Sequence, residues 1–252
     1  MSKVYHTKKP SLGSFSVYTC PMIPKTIHYC WFGKKPKSEL IRGCISSWEN
    51  MCPGWKIKEW NEESFDVSSH PFTARMYREK KFAFVADYVR LIALLKDGGV
   101  YLDTDMLLVQ PLDNLLSTDI LLGKESRKYI SCGMIGSIPH HPFIEAMRKE
   151  YDTLHKLEPN PVIMTRLYEK MQLEHATVLS PIAFYPFSSH TIHTYKGQQL
   201  GKETYGVHLW NHSWAHPLNK FFKKIGIYRL GVTVTEFLGI KKILKKIFPP
   251  QN

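Results

Sequence analysis

Two aspartates separated by one residue, Asp103 and Asp105, directly follow a short apolar run near the middle of the chain. In an extended segment, side chains at positions i and i+2 point to the same face. We therefore expect both carboxylates to project together from the C-terminal end of a strand, where they would repel each other. A hard divalent ion such as Mg²⁺ or Mn²⁺ would relieve that repulsion and could hold a diphosphate as well. Taken alone, the same triplet is also typical of a solvated turn.

The residues before this pair follow a helical pattern. From Phe82 to Lys96 the apolar residues recur on one side, and Gly98-Gly99 would end the helix and open a tight turn. Asp87 and Arg90 interrupt this apolar helix three residues apart, on nearly the same face. Charges beside a core are costly unless they are paired or functional. The pattern therefore indicates either a structural ion pair or part of a binding site.

A parallel strand–helix–strand unit is predicted near the start of the chain. Residues 23–32 alternate like a strand, Ser38 could cap a helix that runs to about Met51, and residues 55–60 alternate like a second strand. Such a unit is the usual start of a nucleotide-binding α/β fold. Ligands in these folds lie beyond the C-terminal ends of the strands, which is where Trp31 is expected.

Length and composition fit an α/β domain with a substantial core. The chain has 252 residues, of which 43% are hydrophobic and 22% charged. Its five cysteines are irregularly spaced without a Cys-x-x-Cys pair, which favours neither a zinc site nor a disulfide framework and suggests a reducing compartment. The first residues do not resemble a secretory signal, and no run approaches the ~20 apolar residues of a membrane span.

The central segment resembles glycosyltransferase family 32. The resemblance is carried by residues 84–90 together with 98–105, is dense over 22–145, and is otherwise thin apart from 205–214. That family includes yeast initiating mannosyltransferases and bacterial capsule enzymes, and it is similar to the catalytic domains of the clostridial glucosylating toxins. It implies an α/β fold of the GT-A type over residues 1–219, with a Rossmann-like nucleotide-binding half and a mixed central sheet.

The resemblance also implies roles for the residues of the central motif. Asp87 would contact the nucleotide ribose, Arg90 the donor, and Tyr101 would pack on the donor pocket. Asp103 would touch ribose or sugar hydroxyls and the hydration shell of the metal, and Asp105 would ligate the metal, Mn²⁺ or Mg²⁺. These roles suit the chemistry of the side chains. Carboxylates accept hydrogen bonds from hydroxyl groups, and a guanidinium can bind two oxygens at once through paired N–H groups.

Aromatic residues outside the motif receive roles in the same way. Trp31 would stack on a uracil-type base, although a tryptophan at a strand end can also be part of the core. Residues 206–214 suggest a short strand followed by a loop that closes over the diphosphate. There, His208 would contact metal or diphosphate, and Ser213 and Trp214 would form the lid; a tryptophan-rich packing cluster is the alternative.

The region between these motifs supports fewer predictions. Strands are expected at 120–123 and 130–138, and a helix from His141-Pro142 to about residue 155. Residues 156–204 contain several prolines and are expected to form loops on the acceptor side. Relatives often have asparagine at the position of Cys132, which leaves the contacts to the donor sugar open.

Together these features predict a metal-dependent glycosyltransferase that uses a nucleotide-diphosphate sugar, most simply a UDP-sugar, and a glycan or lipid-linked acceptor in capsule or similar surface polysaccharide synthesis. The resemblance implies retention of anomeric configuration. No nucleophilic carboxylate is evident in the sequence, which favours front-face displacement. A metal-dependent nucleotidyl- or phosphotransferase is an alternative, but it predicts a Lys- or Gly-rich phosphate loop. A non-enzymatic membrane-binding module is a further alternative that would leave the aspartate motif unexplained.

The last residues of the chain, 220–252, form a basic tail with eight lysines or arginines and one acid, Glu236. Within residues 236–252, apolar residues follow a helical spacing and lysines occupy the other face, which predicts a basic amphipathic helix. Such a helix suits an anionic membrane surface, so we expect a cytoplasmic protein peripheral on the inner face of the membrane. A helix docked on the core is the alternative. Nucleic acid is not expected as a partner, because no basic–aromatic recognition motif accompanies the charge.

Overall fold

The central sheet is built from strands that alternate with helices along the chain. The computed structural model describes residues 22–154 and 157–211. The strands described there are β1 (Thr26–Cys30), β2 (Lys56–Trp60), β3 (Gly99–Leu102), β4 (Met106–Leu108), β5 (Ile120–Lys124), β6 (Ile130–Ser137), β7 (Ala176–Leu179) and β8 (Gly206–His208). The helices are α1 (Glu39–Met51), α2 (Pro71–Arg78), α3 (Phe82–Asp97), α4 (Pro142–Glu150) and α5 (Asn160–Lys170).

Six strands form the main sheet in the order β2-β1-β3-β6-β5-β7. Strand β6 is antiparallel to both of its neighbours, and the other pairs are parallel, so five strands point the same way. One face is covered by α2, α3, α4 and α5, while α1 and residues 183–185 cover the other. The predicted α/β fold, with a Rossmann-like parallel first half and a mixed central sheet, is confirmed.

The strand–helix–strand start of the chain is confirmed with shorter strands. Strands β1 and β2 pair in parallel, and the Oγ of Ser38 accepts the N–H of Ile41 at the start of α1. Strand β1 does not include residues 23–25, because Pro24 has no N–H to donate to a ladder and the N–H of Ile23 bonds the carbonyl of Leu116 instead.

The glycine pair after α3 sets the position of β3. Gly98 and Gly99 have φ of +62° and +102°, and the N–H of Gly98 closes the helix on the carbonyl of Leu94. His28 lies behind this turn: its Nε2 donates to the Gly98 carbonyl at 2.7 Å, and its Nδ1 accepts the Trp60 indole N–H at 3.1 Å. The turn is thereby tied to both β1 and β2.

The structure corrects two predictions about the second half of the chain. Helix α4 ends at Glu150 and not near residue 155, because the N–H groups of Tyr151 and Asp152 bond carbonyls three residues back and tighten the last turn. Residues 157–204 are not only loops, since they contain α5 and also β7, which forms an edge of the main sheet beside β5. Helix α5 has 11 residues and β7 has four, so each carries too little periodicity to be recognised.

Some predictions fall on residues 1–21, 155–156 or 212–252, which lie outside the described part of the chain. These include the basic tail and its boundary at residue 220. Among the described residues, no helix combines the length and apolar character needed to span a bilayer. The four cysteines in this part of the chain are buried free thiols.

Candidate metal and donor site

The proposed site residues gather where the parallel strands end. Because β1, β3 and β5 run in the same direction, their C-terminal ends meet at one edge of the sheet. Trp31 follows β1, Asp103 follows β3 and Glu125 follows β5. Open α/β sheets bind ligands at this edge.

A second, two-stranded sheet completes the site. The chain turns at residues 103–105 into β4, and β4 pairs antiparallel with β8 so that Met106 lies opposite His208. The backbone of Asp105 holds this pairing in place, because its carbonyl accepts the N–H of Leu209 at 2.9 Å. A histidine more than a hundred positions away in sequence is thereby brought to the aspartate pair.

Asp103, Asp105 and His208 could together hold a metal ion, since one ligand atom from each lies within 4.8 Å of the other two. The Nε2 atom of His208 is 3.2 Å from Oδ1 of Asp105 and 4.0 Å from Oδ2 of Asp103. Two carboxylates and an imidazole suit a divalent first-row ion, and carboxylates also suit Mg²⁺. It is the one group of this kind within residues 22–154 and 157–211.

Electrostatic interactions in this cluster favour a negatively charged Asp105 and a positively charged His208. Burial opposes ionisation of Asp105, but the attraction and hydrogen bond of His208 and the N–H of Asn211 lower its pKa to about 2. Burial also opposes protonation of His208, yet Asp105, Asp103 and Glu125 raise the pKa of its imidazole. An ion that binds Nε2 of His208 would therefore compete with a proton.

Asp87 and Arg90 form an ion pair that also reaches the aspartate motif. The guanidinium Nη2 of Arg90 is 2.7 Å from Oδ1 of Asp87 and 3.4 Å from Oδ1 of Asp103. The guanidinium lies over the Tyr101 ring at 4.5 Å, and the Tyr101 hydroxyl donates to Asp103 at 3.1 Å. Its Nη1 donates to the carbonyl of Cys132. The two interpretations of Asp87 and Arg90 are therefore compatible, because the ion pair is part of the network around Asp103.

Trp31 and the residue at position 132 differ in how well they suit the proposed donor contacts. Trp31 is half-buried at the end of β1, and its indole N–H donates to the carbonyl of Lys35 at 2.7 Å. Its stacking on a base stays a prediction. The side chain of Cys132 is buried beside the sulfur of Met164, 3.7 Å away, so the position that often carries asparagine in relatives is part of the core here.

Sequence reasoning missed two residues near the cluster. Tyr185 is buried, with its ring 5.3 Å from the His208 ring and 6.0 Å from the Trp210 ring. Glu125 lies close enough to raise the pKa of both Tyr185 and His208. Neither residue belongs to a recognisable motif, so no local signal could have found them. The predicted lid residues Ser213 and Trp214 lie outside the described residues.

The comparisons with known proteins agree with this geometry. Residues 38–122 match the family model of the glycosyltransferase sugar-binding region containing a DXD motif. Residues 38–122 are thus similar to the sugar-binding region of glycosyltransferases that contain a DXD motif. That region includes Asp87, Arg90, Tyr101, Asp103 and Asp105, and it confirms the resemblance drawn from the sequence.

Several curated relatives of the DXD region are glycosyltransferases. Inositol phosphoceramide mannosyltransferase 2 of Schizosaccharomyces pombe is 26% identical over 75% of this chain. A mannosyl phosphorylinositol ceramide synthase of Saccharomyces cerevisiae is 31% identical over 52% of it, and human alpha-1,4-N-acetylglucosaminyltransferase is 27% identical over 50%. This chain covers only 61%, 36% and 42% of their respective lengths. Among solved structures, a glycosyltransferase of Streptococcus pneumoniae, 12% identical, aligns over 86% of this chain and 64% of that one with a TM-score of 0.48.

Proposed function

We propose that this protein is a metal-dependent glycosyltransferase that transfers a sugar from a nucleotide-diphosphate donor, a UDP-sugar, to a glycan or lipid-linked acceptor. The observation that carries the proposal is the meeting of Asp103, Asp105 and His208 at the strand ends, beside the Asp87–Arg90 pair. This arrangement offers oxygen and nitrogen ligands to an ion and a cation to the donor within one contiguous network.

Each residue of this network has a task in the proposed reaction. Asp105 and His208 would hold the ion, with Asp103 touching its water shell and a sugar or ribose hydroxyl. When bound, Mn²⁺ or Mg²⁺ would offset the charge that develops on the diphosphate leaving group. Asp87 would accept a hydrogen bond from a ribose hydroxyl. Arg90 would contact donor oxygens, and it would lose little side-chain freedom because two carboxylates and the Tyr101 ring already hold it in place.

The outer parts of the donor would be held by three aromatic or polar residues. Trp31 would stack on the base, and Ser213 and Trp214 would close over the diphosphate. For the chemical step we propose front-face displacement: the acceptor oxygen bonds to the anomeric carbon from the side on which the bond to the phosphate oxygen breaks. That course retains configuration without a covalent intermediate, and the acceptor proton leaves with the departing phosphate oxygen.

For the acceptor we propose a lipid-linked glycan of surface polysaccharide synthesis, such as capsule, at the cytoplasmic face of the membrane. Two observations support a lipid acceptor. Relatives named inositol phosphoceramide mannosyltransferase and lactosylceramide 4-alpha-galactosyltransferase carry ceramide lipids in their names. Residues 236–252 have the composition of a basic amphipathic segment, which suits an anionic lipid surface.

The proposal is tested by incubating the purified protein with a panel of UDP- and GDP-sugars and Mn²⁺. We expect release of the nucleoside diphosphate from one donor, and loss of that release in EDTA with recovery on adding the ion back. Full activity after verified metal removal would contradict the metal dependence. Release of a nucleoside monophosphate or of inorganic phosphate as the first product would instead favour a nucleotidyl- or phosphotransferase.

A further inference from the structure

Lys37 is a half-buried cation in the loop between β1 and α1 that the proposed metal and donor contacts do not use. Tyr29 and Trp31 are two positions apart at the end of β1, so their side chains point to the same face. The ammonium of Lys37 lies over both rings, 5.7 Å from the centre of the Tyr29 ring and 5.9 Å from that of Trp31. The loop therefore places a cation beside the ring that would carry the base.

Hydrogen bonds to the backbone hold this loop in place. The carbonyl of Lys35 accepts the indole N–H of Trp31 at 2.7 Å, and the carbonyl of Lys37 accepts an N–H of the Arg42 guanidinium. The first of these bonds ties the loop to Trp31 itself. The position of Lys37 relative to the Trp31 ring thus depends on the backbone as well as on the side chain.

Glu59 orients the ammonium of Lys37 from the neighbouring strand. It lies opposite Tyr29 in the β1–β2 ladder. Its Oε2 is 2.7 Å from Nζ of Lys37 and accepts the Tyr29 hydroxyl at 2.6 Å. Its Oε1 accepts an N–H of the Asn61 side chain at 3.2 Å. Both oxygens of Glu59 are therefore used within the protein.

The ammonium of Lys37 keeps hydrogen-bonding capacity for a ligand. It carries three N–H groups, and within residues 22–154 and 157–211 its one hydrogen-bond acceptor is Glu59. The side chain is partly withdrawn from water, which strengthens its interaction with an acceptor. A ligand atom next to the Trp31 ring would meet N–H donors that are already oriented.

We propose that Lys37 is a specificity-determining residue that selects nucleotides whose base carries a carbonyl oxygen, uracil or guanine, over nucleotides whose base carries an amino group at that position, cytosine or adenine. An ammonium can only donate hydrogen bonds. It can bond O4 of uracil or O6 of guanine, whereas cytosine and adenine present N–H donors there. This inference rests on the proposed function, in which the base stacks on Trp31.

The test compares the wild-type protein with Lys37→Met, which keeps an unbranched apolar stem and removes the charge. Calorimetry with Mn²⁺ measures the Kd of UDP, CDP, GDP and ADP. Within each pair, UDP with CDP and GDP with ADP, one base has a carbonyl where the other has an amino group. Lys37→Arg restores a cation. The double variant Lys37→Met with Glu59→Gln removes both charges, so that no carboxylate loses its partner, and thermal unfolding verifies that each protein is folded.

Lys58→Met is the matched control, because Lys58 makes the same kinds of contact on the other face of the sheet. Its Nζ is 2.7 Å from Oδ2 of Asp97 and lies over the Trp60 ring at 4.4 Å. Trp60 belongs to the core beneath α2–α5, whereas Trp31 packs against the core on the opposite side. Loss of an ion pair and of a cation–π contact is therefore common to both lysine variants, and proximity to Trp31 is not.

We expect the wild type and Lys58→Met to prefer UDP over CDP, or GDP over ADP, about tenfold or more, as a hydrogen bond to a charged group would provide. In Lys37→Met and in the double variant this preference should nearly disappear, because the Kd of the carbonyl-bearing nucleotide rises and that of its partner changes little. Lys37→Arg should keep most of the preference.

An unchanged preference in a folded Lys37→Met protein or in the folded double variant overturns the role of Lys37 alone. A wild type that binds the two members of each pair equally well overturns it too, and leaves the proposed transfer reaction standing. A wild type that binds none of the four nucleotides contradicts the proposed function, and the inference with it.

Discussion

Asp105 serves the structure through its backbone and the candidate metal site through its side chain. Its carbonyl oxygen accepts the N–H of Leu209, Oδ2 accepts the N–H of Asn211 at 2.7 Å, and Oδ1 faces His208 at 3.2 Å. Truncation to alanine would therefore remove a tether to the chain after β8 as well as a metal ligand. Asparagine keeps a side-chain oxygen for Asn211 and is the sharper substitution.

We predict that Asp105→Asn lowers donor turnover about a hundredfold or more while the protein stays folded, because a neutral amide is a poor ligand for a hard ion. The matched control is Asp66→Asn, at an exposed acid whose side chain accepts hydrogen bonds from Ser68. Nucleotide release with Mn²⁺ and far-UV circular dichroism measure the two effects. An active Asp105→Asn variant whose Mn²⁺ dependence equals that of wild type would contradict the assignment of this ligand.

At the scale of single residues, local spacing predicted some neighbours and not others. The contacts between Asp87 and Arg90 and between the two motif aspartates follow from separations of three and two residues. His208 was suggested by the resemblance, but its position depends on strand pairing across a long stretch of chain. Glu125 and Tyr185 could not be foreseen, since only the sheet brings them to the cluster.

At the scale of elements, the turn between α3 and β3 depends on Gly99. With φ of +102°, a Cβ at Gly99 would lie 2.5 Å from the carbonyl oxygen of Thr26 and 3.1 Å from Nε2 of His28. Neither the backbone of β1 nor the buried histidine can move without disturbing the sheet. The glycine pair is therefore as important for the position of Asp103 as the strand itself.

We predict that Gly99→Ala lowers the free energy of unfolding by about 2 kcal/mol or more, through strain and backbone overlap. Gly43→Ala is the contrasting control, because Gly43 is inside α1 and an added Cβ meets no atom within 4 Å. That variant should gain ~0.5–1 kcal/mol from helix propensity. Urea denaturation measures both, and equal stability of the two variants would refute the role given to the turn.

His28, which bonds the turn between α3 and β3, makes the stability of the fold depend on pH. Burial lowers the pKa of its imidazole against the opposing hydrogen bond to Gly98, so the folded protein holds it neutral. Below the ordinary value of 6.5 the unfolded chain binds the proton more readily, so stability falls as pH decreases through the interval between 6.5 and the lower folded pKa.

We therefore predict that His28→Asn weakens the pH dependence of stability between pH 8 and 5, by at most ~1.4 kcal/mol for each pH unit. The control is His193→Asn at an exposed position, which should leave the wild-type pH dependence intact. Urea denaturation at several pH values gives the slope. If His28→Asn and wild type show parallel pH profiles, another group governs the acid sensitivity.

Elements with strong local periodicity were predicted, and those that depend on partners were not. Helix α1, helix α3 and the glycine turn follow from caps and apolar spacing within about fifteen residues. Strand β4 has three residues and β7 has four, and each forms because a neighbouring strand is already in place. Such strands carry no recognisable pattern of their own.

At the scale of the whole molecule, positive charge is concentrated in one part of the chain. The formal net charge is +12, and residues 220–252 contain eight of the basic residues against a single acid. The proposed membrane attachment and the proposed sugar transfer should therefore be separable, because all the motif residues precede this tail.

We predict that deleting residues 236–252 abolishes binding to anionic vesicles while donor hydrolysis persists. Replacement by glutamine of Lys241, Lys242, Lys245 and Lys246 should have nearly the same effect, and added salt should weaken binding of the wild type. Cosedimentation with phosphatidylserine vesicles measures attachment, with neutral phosphatidylcholine vesicles as the control. Attachment that survives the deletion would place the membrane contact elsewhere.

The pairing of β4 with β8 has a consequence for heat resistance. An ion that needs both Asp105 and His208 can bind strongly only to the folded chain. These residues are about a hundred positions apart in sequence, and only the folded structure holds them close together. By mass action, free ion at ~100 times its dissociation constant would add about 2.7 kcal/mol to the free energy of unfolding. The melting temperature should then rise with ion concentration. The ion would cross-link β8 to the chain before β4 and so stabilise the pairing of these two strands.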